Sequence, residues 1–415
     1  MLSTIAVNED KPDKEVYFAR LETVDLDSCV DFVEKKTVSS DGEEDAALEL
    51  CLREGINSDY KGRLGSRPFW HLRIMLSSDD PSSFTAAWFF HHALGDGGCG
   101  PIFHRTLLSA LQDASVPGKS PEPLDSIVRS PSTPLLPPFE ALHSHPISWS
   151  FFLRTILGLI FPSVFDSRPS KLWTGPPVAA PDPLPKTRVQ LLTLSAPTTT
   201  QLLELSRENK TTMQATLECC IATAIFSTVP ADTYDKIIAT SPVSLRSIIK
   251  QDGKPIADDD FTMALSQYNH THMRASHSAT QFPWDEARAV RATIQAELAK
   301  KGSDNPVSLL RYVSDMHKYY TEKIGQERKA SFELSNLGAM KAEKGSEGGW
   351  KIGRCVFSQS ANISGPPILC SAVTGGDGSC VLSFSWLEGV LGEKMIRAVV
   401  DGVKKQVELL ISGKK

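Results

Sequence analysis

Two adjacent histidines open the run His91-His92-Ala93-Leu94-Gly95-Asp96-Gly97-Gly98. They follow Phe84 to Phe90 (FTAAWFF), an apolar run expected to be a strand buried on both faces, so at least one ring starts close to the core. A neutral imidazole, with an ordinary pKa of about 6.5, can take a proton from a hydroxyl or amine at neutral pH. His92 is the candidate general base, and His91 is expected to pack or hydrogen-bond beneath it. Gly95, Gly97 and Gly98 let the chain turn and let a substrate approach the backbone. Asp96 lies in that turn, where a buried carboxylate needs a cation or several N–H donors. It is expected to orient the turn, the simpler alternative being a plain turn former.

Other residues that could do chemistry carry less. Cys99 sits beside the run, but a thiol at a helix start is more often packing than a nucleophile. His270 and His272 read as part of a polar loop, Gln267 to His272, and no metal is expected there without further ligands. The eight cysteines form no CxxC pair, so neither zinc nor thioredoxin chemistry has spacing to support it. A metal hydrolase built on His91, His92 and Asp96 lacks a third ligand at metal spacing.

The elements that must position the run follow from periodicity. Strands are expected at 15–21, 69–75 and 84–90, with helices at 43–55 and 102–111. The second half reads as a strand at 188–194, helices at 198–209 and 212–226, and a strand at 236–242. A helix at 309–326, a short strand at 332–336 and a hairpin of 368–373 with 381–386 come next. The last helix, 393–411, places Ile396, Val399, Val400, Val403, Val407 and Leu410 on one face. Between 115 and 186 proline is dense, which marks a crossover. The expected division is an N-terminal lobe (1–114), a proline-rich crossover with an apolar helix (115–186) and a C-terminal lobe (187–415).

The bulk numbers set limits. A chain of 415 residues suits two lobes rather than one core. With 41% hydrophobic and 22% charged residues it has the composition of a globular protein. A net charge of −5 leaves no basic surplus for phosphates, which argues against nucleic acid as a partner. The first residues, MLSTIAVNEDKPDKE, show no apolar signal core, so a cytoplasmic location with free thiols is expected. Residues 147–165 (ISWSFFLRTILGLIFPSVF) are strongly apolar but shorter than the roughly 20 residues a spanning helix needs. The reading is a helix packed on the body, with peripheral membrane contact as the alternative.

An HHxxxDG run after a buried strand resembles the active-site motif of the chloramphenicol-acetyltransferase-like superfamily, which includes the plant BAHD acyltransferases, condensation domains and fungal alcohol acetyltransferases. Pro242-Val243-Ser244-Leu245-Arg246 resembles the segment whose arginine pairs with the motif aspartate. Ser335-Asn336-Leu337-Gly338 and Phe384-Ser385-Trp386-Leu387-Glu388-Gly389 resemble the fungal alcohol acetyltransferase branch. The DFGWG motif of plant BAHD enzymes is absent. The chain also enters the family pattern late, with less sequence before its first strand than that branch carries.

The resemblance implies an α/β (α+β) fold of two chloramphenicol acetyltransferase-like lobes, each a mixed sheet flanked by helices, with an active-site tunnel between them. It implies an acyl-CoA-dependent O-acyltransferase, probed first with acetyl-CoA, acting on a hydroxyl of a small hydrophobic or secondary-metabolite acceptor. Acyl-CoA is then a co-substrate rather than a bound cofactor, and the family default is a monomer. His92 would be the base, without a covalent acyl-enzyme, and Asp96 would pair with Arg246. Ser335 and Asn336 would be candidate oxyanion donors, and Gly97 and Gly98 would line the substrate. Two readings compete: transfer from a carrier-bound acyl or peptidyl thioester, and a non-catalytic binding protein on the same fold.

Overall fold

The computed structural model describes residues 3–7, 16–35, 46–77, 80–116, 125–132, 136–137, 139–161, 170–181, 183–251, 254–255, 260–340 and 349–413. Pro117, Pro121, Pro123, Pro134 and Pro138 of the expected crossover, and residues 162–165 of the apolar run, lie outside them. The chain forms two compact units. One comprises 1–139, 257–263 and 341–353, and the other 140–256, 264–340 and 354–415. The described residues bear out the mixed α/β expectation, with sheets flanked by helices.

The first unit is built on a three-stranded sheet of β4 (Val30–Lys35), β5 (Trp70–Ser77) and β6 (Phe84–Phe90). β4 and β5 run parallel, and β5 and β6 antiparallel with Trp70 opposite Phe90. Two ribbons accompany it: β1 (Ser3–Val7) with β2 (Val16–Arg20), and β3 (Thr23–Asp25) with β7 (Ile127–Arg129). Phe89 turns toward α1 (Ala46–Ile56), so closely that a Cβ on Gly55 would lie 2.2 Å from its ring. Trp88 turns the other way and stacks on Phe103 of α2 (Cys99–Ala114), ring centroids 4.6 Å apart. β6 thus has a helix on each face, but the burial expected of both faces is met on one. Ala87 and Phe89 are buried, whereas Phe84, Ala86, Trp88 and Phe90 are half-buried.

The second unit carries a six-stranded mixed sheet ordered β12-β9-β13-β14-β15-β8. Its strands are β8 (Thr187–Leu194), β9 (Lys236–Ser244), β12 (Leu265–Met273), β13 (Phe332–Ala339), β14 (Ile368–Thr374) and β15 (Cys380–Leu387). The short ribbon β10 (Lys250–Gln251)–β11 (Lys254–Pro255) follows β9. β15 is buried along its whole length and β14 along all but its last residue, as continuous apolar strands inside a covered sheet must be.

Helices α3 (Phe139–Leu142), α4 (Trp149–Ile160), α5 (Ala196–Glu208), α6 (Met213–Thr228), α7 (Trp284–Ala299), α8 (Met316–Thr321) and α9 (Glu393–Ser412) complete the fold. α6 is apolar nearly all round and is buried nearly all round. α9 presents to it the face foreseen from Ile396 to Leu410. The two helices meet so closely that a Cβ on Gly402 would be 2.8 Å from that of Ala224. The helix expected over 309–326 is divided: a 3-10 segment covers Pro306–Tyr312 and α8 begins only at Met316. Val313 is extended, and the Asp315 carboxylate accepts from Lys318 N at 2.8 Å, which starts a new helix.

Candidate active site

β6 ends where its pairing ends. His91 N donates to Phe69 O at 2.8 Å, and the chain then enters a single 3-10 turn, His92–Leu94. His91 is the N-cap: its Nδ1 accepts from Ala93 N at 3.2 Å, which leaves the ring proton of the neutral form on Nε2. Its ring stands edge-on to Tyr60 and Phe69, at 5.9 and 5.5 Å between centroids. Partial burial, with His92 beside it, holds the His91 pKa below the usual imidazole value. His91 therefore works as a neutral cap and packing group.

His92 is exposed, and among the described residues its ring makes no hydrogen bond or ion pair. The sequence expectation that a ring of this pair starts near the core is corrected here. The strand stops at Phe90, and the 3-10 turn brings both histidines out as exposed residues.

The turn beneath them is tightly held. Asp96 is 2% exposed, and its Oδ1 accepts from Gly98 N at 3.0 Å. Asp96 N donates to Thr262 O at 3.3 Å, and Asp96 O accepts from Cys99 N at 3.0 Å. Thr262 belongs to the 257–263 segment, which returns to this unit and braces the turn from outside. Cys99 is fully buried, with its thiol directed at Thr262 O (3.7 Å). It packs rather than reacts.

The glycines act differently from expectation. None of Gly95, Gly97 or Gly98 has a left-handed φ. Gly95 is extended (φ 166), and what demands glycine there is space: a Cβ would sit 2.4 Å from Cys99 Sγ. Gly97 and Gly98 are half-buried at the start of α2.

His91, His92, Asp96, Gly97 and Gly98 thus share one turn of the first unit. Arg246, Ser335 and Asn336 belong to the second. Arg246 is half-buried and opens a 3-10 turn after β9, its N donating to Ser244 Oγ at 3.4 Å. Ser335 is 6% exposed on β13. Asn336 Oδ1 accepts from Gly338 N at 2.8 Å, which commits the amide oxygen and leaves its NH2 as a donor. Gly338 has φ +74, a conformation few residues besides glycine adopt, and the β13–β14 register shifts between Asn336 and Ala339. That bulge is the local reason for the Ser-Asn-Leu-Gly sequence.

Sequence reasoning missed two things. Thr262 left no signal, because its contribution is a backbone carbonyl. The second is a polar cluster in the second unit. His270 and His272 are not in a loop but on β12, whose Ser266, Tyr268, His270 and His272 share one face. Glu218 and Glu286 approach them from α6 and α7. The two-residue spacing of Tyr268, His270 and His272 was the available sign. Elsewhere in this unit, an open depression of about 840 Å³ is lined by Trp173, Tyr234 and Glu327 among others. None of the residues chosen from the sequence lines it.

The comparisons agree with this architecture. The sequence model of the alcohol acetyltransferase family matches residues 10–405. A probable alcohol acetyltransferase of Aspergillus fumigatus is 30% identical over 98% of this chain and 87% of its own length. Another, of Fusarium pseudograminearum, is 25% identical over 96% of this chain and 81% of its own. Among solved structures, the trichothecene 15-O-acetyltransferase of Fusarium sporotrichioides superposes with a TM-score of 0.61. That match has 13% identity and covers 98% of this chain and 83% of that one. The first condensation domain of the CDA synthetase gives a TM-score of 0.59 at 12% identity, over 99% and 83%. These structural likenesses establish the chloramphenicol acetyltransferase-like fold. With a family match across nearly its full length and a relative 30% identical over 98% of it, the chain belongs to the alcohol acetyltransferase family and is an acyltransferase.

Proposed function

We propose that the enzyme transfers an acyl group from acyl-CoA, with acetyl-CoA as the first donor to try, to a hydroxyl of a small hydrophobic or secondary-metabolite acceptor. The observation that carries this reading is the exposed His92 imidazole on a turn locked by Asp96 and Thr262. In this reaction a His92 ring nitrogen takes the O–H proton as the acceptor oxygen attacks the thioester carbonyl. The tetrahedral intermediate collapses with loss of the C–S bond. The proton passes from His92 to the departing thiolate, giving ester and free CoA without an acyl-enzyme. Ser335 and the Asn336 amide are the candidate donors to the oxyanion, a contribution of about 3 kcal/mol per donor. Gly97 and Gly98 would lie along the substrate. Asp96 acts on the turn and not on the substrate, and its pairing with Arg246 is part of the proposal.

The names of the Aspergillus and Fusarium relatives support alcohol as the acceptor class. We place the enzyme in the cytoplasm, a reading supported by eight free cysteines, and take it as a monomer, the family default. No described helix is long and apolar enough to cross a membrane. Peripheral contact through 147–165 rests on α4, where Trp149, Leu153, Ile156 and Ile160 are exposed on one face.

The test is release of free CoA from acetyl-CoA and longer acyl-CoAs against a panel of alcohols and amines. Alcohol-dependent release is expected. Release with no alcohol, together with transfer from a carrier-bound thioester, would replace this reading with condensation-type chemistry. Silence with every donor, and no thermal shift by acetyl-CoA, would make the chain a binding protein. Asp96→Asn keeps the acceptor of Gly98 N but removes the charge. It is expected to lower both the melting temperature and the transfer rate.

A further inference from the structure

Three imidazoles and a carboxylate converge beneath β12. His270 Nε2 lies 3.1 Å and His272 Nδ1 3.2 Å from Glu286 Oε1. His277 Nε2 lies 3.3 Å from His272 Nδ1. The far nitrogen of each ring is held from behind. His272 Nε2 meets Glu218 Oε1 at 3.2 Å, and Glu218 Oε2 also accepts from Tyr268 Oη at 2.5 Å. His277 Nδ1 meets Thr223 Oγ1 at 2.8 Å, and that hydroxyl donates to Cys219 O at 2.8 Å. His270 Nδ1 meets Thr293 Oγ1 at 3.0 Å, and that hydroxyl donates to Ala289 O at 3.2 Å.

These outer partners assign the tautomers. Each hydroxyl spends its own proton on a backbone carbonyl, so it accepts from the ring behind it. The Glu218 carboxylate likewise accepts from His272. In the neutral form each ring therefore carries its proton on the outer nitrogen, and each inner nitrogen presents a lone pair. The inner nitrogens of His270 and His272 then face Glu286 Oε1, and that of His277 faces His272, in a site where His272 is fully buried and the His270 and Glu286 side chains are each 12% exposed. Electron pairs facing one another across 3.1–3.3 Å repel unless a cation lies among them, and His270, His272 and Glu286 each offer one ligand atom within 4.8 Å of the other two. A tetrahedral ion with bonds of about 2.0–2.1 Å sets its ligand atoms roughly 3.3 Å apart. Imidazoles anchored at the second nitrogen by a carboxylate or hydroxyl are the usual outer support of such a site.

We propose that His270 Nε2, His272 Nδ1 and Glu286 Oε1 bind one divalent transition-metal ion of the zinc type, with water at the fourth position and His277 Nε2 beside His272. The ion ties β12 to α7. The site lies wholly within the second unit and uses none of the residues assigned to acyl transfer, so its failure would leave that reading untouched.

The experiment uses the full chain without an affinity tag, freed of metal by a chelator, dialysed and then titrated with Zn(II). Metal analysis after gel filtration should find one equivalent per chain, with a rise in melting temperature that the chelator reverses. Cobalt(II) in place of zinc should give the visible bands of a tetrahedral site. His270→Ala and Glu286→Gln, both at partly exposed positions, should weaken zinc binding at least tenfold, while Cys355→Ala should bind as the parent does. Retention of no zinc and no thermal shift would overturn the proposal and show that a proton on His272 holds the cluster. One equivalent bound equally well by the His270→Ala, Glu286→Gln double variant would overturn it as well, by placing the metal elsewhere.

Discussion

His92 is exposed, and its ring has no partner among the described residues. His272 is fully buried, with Glu218 and Glu286 each 3.2 Å from one of its nitrogens. The same side chain serves two purposes, and its surroundings decide which. A proton-transfer group needs an uncommitted lone pair that a substrate can reach. A structural imidazole needs both nitrogens committed, because an unpaired polar group in the interior is costly. His91 stands between the two: one nitrogen is spent on capping Ala93, and its ring faces Tyr60 and Phe69. Adjacency in sequence therefore does not make His91 a second base. It makes His91 the cap of the turn that presents His92, the proposed base.

The sharpest way to break this comparison is to delete one histidine from each region. His92→Ala should lower the rate of CoA release by about 10²–10⁴, the usual range for a general base, and leave the melting temperature unchanged. His272→Ala should do the reverse. It leaves Glu218 and Glu286 buried without their shared partner, and chemical denaturation should show a loss of about 3–5 kcal/mol. Similar effects of the two variants on stability would erase the distinction.

A smaller effect tests how the catalytic turn is held. Gly95→Ala sets a methyl 2.4 Å from Cys99 Sγ, and such overpacking costs about 1–3 kcal/mol. Cys99→Ala in the same chain should return part of that loss, read as a positive coupling in a double-mutant cycle. Strict additivity would mean that the thiol is not what the glycine makes room for.

An effect spread over pH concerns His104 on α2, whose pKa burial lowers to about 4. Its folded form favours the neutral ring, so its contribution to stability is full above the ordinary value of about 6.5. That contribution is lost as pH falls toward 4. Stability should decline across that window, and His104→Gln should flatten the decline. An unchanged slope would assign the acid sensitivity to other groups.

How much of this was legible in the sequence depended on which force set each element. β6 came out at its observed limits, and β14, β15 and α9 were found within a residue or two, because apolar runs and a one-faced helical stripe carry a direct signal. β12 was misread as a loop because its covered face is Tyr268, His270 and His272, polar residues buried by pairing with one another and with α6 and α7. Hydrophobic alternation cannot report a strand whose inner face is a charge network. α7 went unnoticed too, its buried face reduced to Ala287, Val290 and Glu297. At the candidate site, residue types and spacing predicted a turn, and a turn follows β6. The expectation that one ring of the histidine pair starts near the core failed because burial was carried past Phe90, where β6 ends. The brace from Thr262, 166 positions after Asp96, depends on a chain return that local pattern does not encode.

The central claim is that His92 is the base, and chemical rescue tests it most directly. CoA release from acetyl-CoA, with an alcohol that the wild type accepts, would be measured for the wild type and for His92→Ala with and without added imidazole. His92→Ala should release CoA at least about 100-fold more slowly than wild type and be partly restored by imidazole, because the exposed position has room for a free base. A His92→Ala variant that releases CoA at the wild-type rate without imidazole would contradict it.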